Sequence, residues 1–253
     1  MGQKISFTSS DTKIASEALD RLSKLYGNCA IEDADVIVAL GGDGFMLQTL
    51  HRTQDLSAPV YGMNRGTVGF LMNAYDEKKL LERLDKSIEE KLNPLKMEVV
   101  AADGSVKSAL AINEVSLLRA GPQAARLSIS VDGKIRMSEL VSDGVLLSTP
   151  AGSTAYNYSA HGPILPIGSD VLALTALNAF RPRRWRGALL PKKSTVEVEV
   201  LEPEKRPVMA DADSRSFKNV VRVIISSADY IQHNILFDPG HGLEERLISE
   251  QFS

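Results

Sequence analysis

Asp35-Val36-Ile37-Val38-Ala39-Leu40-Gly41-Gly42-Asp43-Gly44-Phe45-Met46-Leu47 decides how the first third of this 253-residue chain folds. Asp35 to Leu40 reads as an apolar strand of the kind that a parallel sheet covers on both faces. Phe45 to Thr53 reads as a helix. A strand, a glycine turn and a helix in that order bring bare backbone N–H groups up to a phosphate. Asp43 is the odd residue, because a carboxylate inside a phosphate cradle repels its ligand unless it holds a metal or accepts a proton. The loop points to chemistry at the edge of a nucleotide phosphate, although Gly-Gly and Asp-Gly pairs also make ordinary tight turns. Neither common nucleotide loop is present: Leu47 holds the place of the third Rossmann glycine, and no Gly-Lys-Ser/Thr sequence follows.

Outward from this loop, Ile5 to Thr8 reads as a strand and Asp11 to Tyr26 as a helix. Apolar Ile14, Ala15, Ala18, Leu19, Leu22 and Leu25 recur in that helix at helical spacing. Pro59 to Met63 is a further strand. Asp76 to Glu90 is expected to be helical, with Asp76 and Glu77 in its first turn, where the helix dipole favours acids. This alternation predicts an open α/β sheet. After Asn93-Pro94 the texture changes. Asp103-Gly104 and Asp132-Gly133 are hairpin turns between short runs of β-formers. These runs include Met97 to Ala101, Leu127 to Val131, Gly144 to Ser148, Thr195 to Leu201 and Val220 to Ser226. Two domains are expected: an α/β nucleotide-binding domain over 1–95 and a β-rich, sandwich-like domain over 96–235. Helices are expected inside the latter at Thr154 to Ala160 and Val171 to Ala179, and a helical tail at Leu243 to Phe252.

Composition is that of a soluble globular protein, 43% hydrophobic and 24% charged. A net charge of −3 provides no global field for nucleic acid or anionic lipid, so neither is expected as a partner. The single cysteine, Cys29, forbids an internal disulfide framework and a cysteine-rich zinc site, and a reducing, cytoplasmic setting is expected. No apolar run approaches the roughly 20 residues of a membrane span. Met1 to Lys13 carries no signal-peptide apolar block; Gly2 to Ser6 matches a myristoylation pattern, but Lys4 to Thr8 reads better as a first strand. Asn157-Tyr158-Ser159 fits a glycosylation sequon, a short pattern of little weight.

Four further segments carry polar residues where chemistry could use them. Asn64-Arg65-Gly66-Thr67-Val68-Gly69-Phe70-Leu71 is a second glycine loop after a strand, and adjacent strands would set it beside the first as two backbone walls of a cleft. Asn113-Glu114 interrupts an apolar stretch. Side by side in a strand the two point to opposite faces, either into a site or along a sheet edge. From Asp143 to Tyr156 a strand runs into a Pro-Gly turn, after which a Ser or Thr is expected to cap a helix whose free N–H groups can bind a phosphate or hydroxyl. Ser153 lies outside any Gly-x-Ser-x-Gly elbow, and His161 beside a Gly-Pro turn reads as structural. Arg181-Pro182-Arg183-Arg184-Trp185-Arg186 can meet a pyrophosphate, a subunit or nucleic acid, or form a solvated basic loop. Asp211 and Asp213 can hold a cation or form a plain turn.

Taken in order, Gly41 to Gly44, Asn64 to Leu71, Asn113-Glu114 and Asp143 through Ser159 resemble the NAD kinases, over most of the chain. The first loop alone is also similar to those of diacylglycerol-type lipid kinases and phosphofructokinases. Ser148-Thr149-Pro150-Ala151-Gly152-Ser153-Thr154-Ala155-Tyr156 is much more specific. The resemblance implies a Rossmann-like N-terminal domain, a β-rich C-terminal domain and a tail, 236–253, returning to the first. It implies Asp43 as general base and Gly44 against the dinucleotide. Asn113, Glu114, Asp143, Ala151, Thr154, Ala155, Tyr156, Asn157, Tyr158 and Ser159 are implied as NAD contacts. Where family members show Asp-Gly-Gln this chain has Asp213-Ser214-Arg215, and a family histidine has no counterpart among Leu177 to Trp185, so no contacts are carried over there.

The reaction implied is phosphoryl transfer from ATP, or another nucleoside triphosphate or polyphosphate, to the adenosine 2′-hydroxyl of NAD. Mg²⁺ or another divalent cation is expected with the donor. The resemblance implies a homodimer or homotetramer formed through the β domain. Two alternatives compete with this reading. A lipid kinase would show a membrane-docking patch, and a non-catalytic dinucleotide-binding module would bind NAD without phosphorylating it.

Overall fold

The computed structural model describes residues 3–66 and 69–252, and the side chains of 249–251 lie outside that description. Gly2 of the myristoylation pattern and Thr67 and Val68 of the second glycine loop also fall outside it. In chain order the strands are β1 Ile5–Ser9, β2 Val36–Gly41, β3 Val60–Asn64, β4 Ile88–Leu92, β5 Leu95–Ala101 and β6 Val106–Ala111. Next come β7 Glu114–Arg119, β8 Ala125–Val131, β9 Lys134–Ser142, β10 Gly144–Ser148, β11 Val171–Leu177 and β12 Gly187–Pro191. The last are β13 Val196–Val200, β14 Val208–Ala212, β15 Arg215–Phe217, β16 Val220–Ser227 and β17 His233–Phe237. The helices are α1 Lys13–Tyr26, α2 Asp43–Arg52, α3 Leu80–Lys86, α4 Tyr156–Ser159 and α5 Leu243–Gln251. None of the described helices is long and apolar enough to cross a membrane.

The chain forms two compact units, one of Met1–Leu92 with Ile231–Ser253, the other of Asn93–Tyr230. In the first, the sheet runs β1-β2-β3-β17-β4, parallel except for the last pair. All six residues of β2 are buried, as its apolar run demands. Helix α1 begins where the Thr12 hydroxyl accepts the Ala15 N–H, and it buries Ala15, Ala18 and Leu22 against β1 and β2 while Ile14 and Leu25 stay exposed. The unit boundaries fall at 92/93 and 230/231 rather than 95/96 and 235/236, because β17 joins this sheet rather than the β-rich unit.

The helix expected from Asp76 to Glu90 shrinks to α3. Asp76 accepts the Lys78 N–H in a local turn, and Lys79 adopts a left-handed φ of 57° just before the helix. Ile88 to Glu90 leave the helix because β4 pairs antiparallel with β17.

The second unit stacks two six-stranded sheets, β12-β11-β10-β7-β14-β15 and β6-β5-β16-β13-β8-β9. One hydrophobic cluster draws inward residues from both, among them Met97, Leu127 and Val198 from one sheet and Val115, Leu147 and Leu174 from the other. The β8–β9 hairpin turns at Asp132 (φ 52°) and Gly133 (φ 73°), as that dipeptide predicts. The helix expected at Val171 to Ala179 is instead strand β11. It is buried on both faces between β10 and β12, so its continuous apolar run imitates a buried helix. The Rossmann-like plus β-sandwich architecture expected from the sequence is the one observed.

Candidate active site

In the first unit, β2 ends at Gly41 and α2 starts at Asp43, two residues earlier than expected. Parallel pairing sets Gly41 opposite Asn64, so the second glycine loop lies beside the first, as anticipated. The Arg65 N–H donates to the Gly41 carbonyl at 2.7 Å. Asp43 accepts two consecutive amides of the second loop: Phe70 N–H at Oδ2 (2.6 Å) and Leu71 N–H at Oδ1 (2.8 Å). A Cβ on Gly69 would sit 2.6 Å from Asp43 Oδ1, so only glycine lets the loop close on this carboxylate. From the far side, Arg246 of α5 donates to the Gly69 and Phe70 carbonyls at 3.0 and 3.1 Å. Each Asp43 oxygen keeps lone-pair capacity after these bonds, so the carboxylate is fixed in place and still able to accept. The Arg65 guanidinium stacks 4.0 Å above the Tyr75 ring, and its Nε is buried without a hydrogen-bond partner among the described residues. Among the described residues no atom beyond the loop's own backbone lies within 4 Å of a Cβ added at Gly42 or Gly44.

In the second unit, pairing of β7 with β10 sets Glu114 opposite Ser148. The β10 exit is stitched to the bend at Ile112–Asn113. Thr149 N–H donates to the Asn113 carbonyl (2.9 Å), and Thr149 Oγ1 donates to the Ile112 carbonyl (2.7 Å) while accepting the Gly152 N–H (3.0 Å). Gly152 packs so closely that an added Cβ would overlap the Asn113 backbone. These contacts bring Asn113, Glu114 and Ala151 together. Burial pushes the Glu114 carboxyl up to about 7; the Asp213 carboxylate adds to the rise and the Tyr156 backbone N–H opposes it. Among the described residues Glu114 Oε2 is buried with no hydrogen-bond partner.

The expected Ser/Thr cap and phosphate-binding helix start are not formed. Ala151–Thr154 is a 3₁₀ turn, and neither it nor α4 has a side-chain cap. Thr149 caps the Gly152 N–H instead, and Ser153 Oγ donates to the Pro150 carbonyl and accepts the Leu165 N–H. Four residues of α4 align too few peptide dipoles to hold a phosphate. Thr154 and Ala155 are half-buried; Tyr156, Tyr158 and Ser159 are exposed. The Tyr156 phenol is raised above its ordinary range by burial, then by the charges of Glu114, Asp143 and Asp211.

Asn157 is fully buried. Its amide donates to the Ser153 and Pro163 carbonyls and accepts the Thr175 hydroxyl, so its side chain holds the segment together and is closed to glycosylation. Asp143 lies at the opposite end of β10 from Ser148. It accepts Asn178 Nδ2 (2.9 Å) and Arg119 Nε (2.5 Å), and these two hold it below the usual carboxylate range. His161 is exposed at a φ of 61°. The Arg181–Arg186 side chains are exposed, while Trp185 packs on the sandwich core. Sequence reasoning passed over Arg65, Arg246 and the role of Asp213, because each acts through a backbone contact with a distant segment.

Two solved structures share this fold. That of yeast NADH kinase complexed with NADH aligns at TM-score 0.83 and 21% identity, over 99% of this chain and 87% of that one. That of an NAD kinase from Archaeoglobus fulgidus in complex with ATP aligns at TM-score 0.79 and 22% identity, over 98% of each. The architecture is therefore one used by kinases of nicotinamide dinucleotides. Family models describe the ATP-NAD kinase N-terminal domain over residues 1–92 and the ATP-NAD kinase C-terminal domain over 112–233. A Cereibacter sphaeroides NAD kinase is 66% identical over 99% of this chain and 98% of its own, and one from Mesorhizobium japonicum is 54% identical over 98% and 96%. The chain belongs to the NAD kinase family, phosphotransferases that use an alcohol group as acceptor. That assignment sets the lipid-kinase alternative aside.

Proposed function

We propose that this protein transfers the γ-phosphoryl group of ATP, or of another triphosphate or polyphosphate, to the adenosine 2′-hydroxyl of NAD, giving NADP. The observation that carries this reading is the Asp43 carboxylate, anchored by two amides at the mouth of two glycine loops. As the 2′ oxygen bonds to the γ-phosphorus, the bond from that phosphorus to the β,γ-bridging oxygen breaks and ADP leaves. The hydroxyl proton passes to Asp43. The open faces of Gly42 and Gly44 leave room for the reacting groups to approach backbone. Glu114 Oε2, with no partner among the described residues, accepts a hydroxyl of the dinucleotide, and Asn113, Ala151 and the Thr154–Ser159 segment line the same station. Asp143 joins them as a contact by family likeness.

Among the described residues no three His, Cys, Asp or Glu side chains gather to hold a metal ion. A divalent cation, Mg²⁺ or another, would enter with the triphosphate and neutralise its charge. The protein is read as a cytoplasmic homodimer or homotetramer. Strand β12 supports self-association, being an uncharged sheet edge with Ala188 and Leu189 exposed, and sedimentation equilibrium tests it.

Incubation of the purified protein with NAD, Mg²⁺ and either ATP or polyphosphate tests the function. NADP, detected by an NADP-specific dehydrogenase, is the expected product, and NAD binding without NADP from any donor would leave only a binding module.

Two substitutions separate ligand contact from folding. Among the described residues an alanine Cβ at Gly44 meets no atom within 4 Å, and alanine in a helix is favoured over glycine by about 0.5–1 kcal/mol. The variant is expected to melt at or slightly above the wild-type temperature while its KM for NAD rises at least severalfold. Scanning calorimetry and steady-state kinetics check the pair. Glu114 gives a pH signature. With its folded pKa raised to about 7 and an unfolded value of about 4.3, the folded chain holds the proton more tightly. Stability from this group is complete below about pH 4.3 and is lost as pH rises through about 7. Glu114→Gln is therefore expected to melt above wild type at pH 8 and level with it at pH 4.5, while binding NAD more weakly. A lower melting point at pH 8 would mean that the ionised carboxylate is already satisfied.

A further inference from the structure

We propose that Asp213 is a positioning residue for the dinucleotide, clamping the Ile112–Asn113 bend so that Asn113 and Glu114 meet the substrate in one orientation. The inference rests on the reading of those two residues as NAD contacts. Asp213 stands in the turn between β14 and β15, at a left-handed φ of 49°. Its Oδ2 accepts the Ile112 N–H at 2.7 Å and its Oδ1 the Asn113 N–H at 2.9 Å. Its own N–H donates to the Glu114 carbonyl at 3.2 Å. Three successive residues are thus tied to one side chain and its backbone. The arrangement repeats that of Asp43, whose two oxygens take the successive amides of Phe70 and Leu71. Each aspartate fixes a bend by a fork of two charge-assisted bonds, and the bend held by Asp213 carries Asn113, assigned with Glu114 to substrate.

A scaffold role alone does not account for the second consequence. The groups facing Glu114 are the Asp213 carboxylate, across the bend, and Tyr156, through its backbone N–H and its phenol, which in turn senses Asp143 and Asp211. Burial is the larger cause of the raised Glu114 carboxyl; Asp213 is the facing carboxylate whose negative charge adds to it, so Asp213 biases whether Glu114 meets NAD ionised or protonated.

Asp213→Asn tests this, because asparagine matches the shape and tolerates a left-handed φ while removing the charge and one acceptor. NAD affinity is read by titration calorimetry between pH 5 and 9, and turnover at saturating NAD is read separately. The variant is expected to bind NAD about tenfold more weakly, with kcat changed by less than about threefold. The acid-side midpoint of NAD binding is expected to move to lower pH, since Glu114 loses a neighbouring negative charge. In a Glu114→Gln background the same substitution should leave no midpoint to shift. A lower melting temperature with unchanged NAD affinity and midpoint would reduce Asp213 to scaffolding and overturn the proposal. If the asparagine variant does not fold, Asp213→Glu, which keeps the charge but displaces the bend, is expected to weaken NAD binding with the midpoint unmoved; unchanged affinity would again overturn it. A wild type that binds NAD but forms no NADP would sink the kinase reading and leave this binding test intact, so the two failures are distinct.

Discussion

Asp43→Asn is expected to bind NAD with near wild-type affinity and to form NADP about 10²- to 10⁴-fold more slowly, the range a lost general base produces. The amide is nearly isosteric but cannot take up the hydroxyl proton. Its single oxygen can still accept one of the two loop amides, Phe70 or Leu71, and its NH₂ then faces the other. The variant therefore also loses about 1–3 kcal/mol of loop anchoring and melts a few degrees lower. Arg246 still holds the Gly69 and Phe70 carbonyls, so the loop is loosened rather than released. The split between kcat and NAD affinity separates the two duties of this side chain. Near wild-type turnover would remove Asp43 from proton transfer and leave it a clamp.

Gly152→Ala is expected to lower stability by about 3 kcal/mol and the melting temperature by about 6–12 °C. The added Cβ would occupy space already filled by the Asn113 backbone, and no flexible side chain stands there to yield. Relief requires Ala151–Gly152 and Ile112–Asn113 to separate, which breaks the Thr149 bonds that join them. Loss of measurable NAD binding in the surviving folded fraction is the accompanying result. The contrast with Gly44→Ala is informative: two glycines in two motifs give opposite stability changes, because one faces backbone and the other faces open space. Thermal melts and calorimetric titrations of the two variants, side by side, check both.

Local patterns made much of the fold legible. The apolar run before Gly41, the Thr12-capped α1 and the Asp132-Gly133 turn declare themselves within a few residues. What escaped was decided at long range. Ile88-Glu89-Glu90-Lys91-Leu92 is made of good helix formers and becomes a strand only because β17, nearly 150 residues later, offers an edge. Val171 to Leu177 carries no alternation because both faces of β11 are covered, which makes a buried strand and a buried helix look alike.

The candidate site followed the same division. Asp43, Asn113 and Glu114 drew attention as polar residues in apolar or glycine-rich settings. Asp213 read as a plain turn before a cation ligand, since its partners lie about a hundred residues away. The cap expected on the Thr154–Ala160 helix failed because Thr149 and Ser153 had nearer carbonyls and amides to satisfy.

A structure of this protein with NAD bound tests the central claim most directly, through the distance between the Asp43 carboxylate and the adenosine 2′ oxygen. We expect that oxygen within about 3 Å of one Asp43 oxygen, a hydrogen-bonding distance, with the Phe70 and Leu71 amides still in place. A 2′-hydroxyl held by other groups, with Asp43 serving only the second glycine loop, would contradict the account.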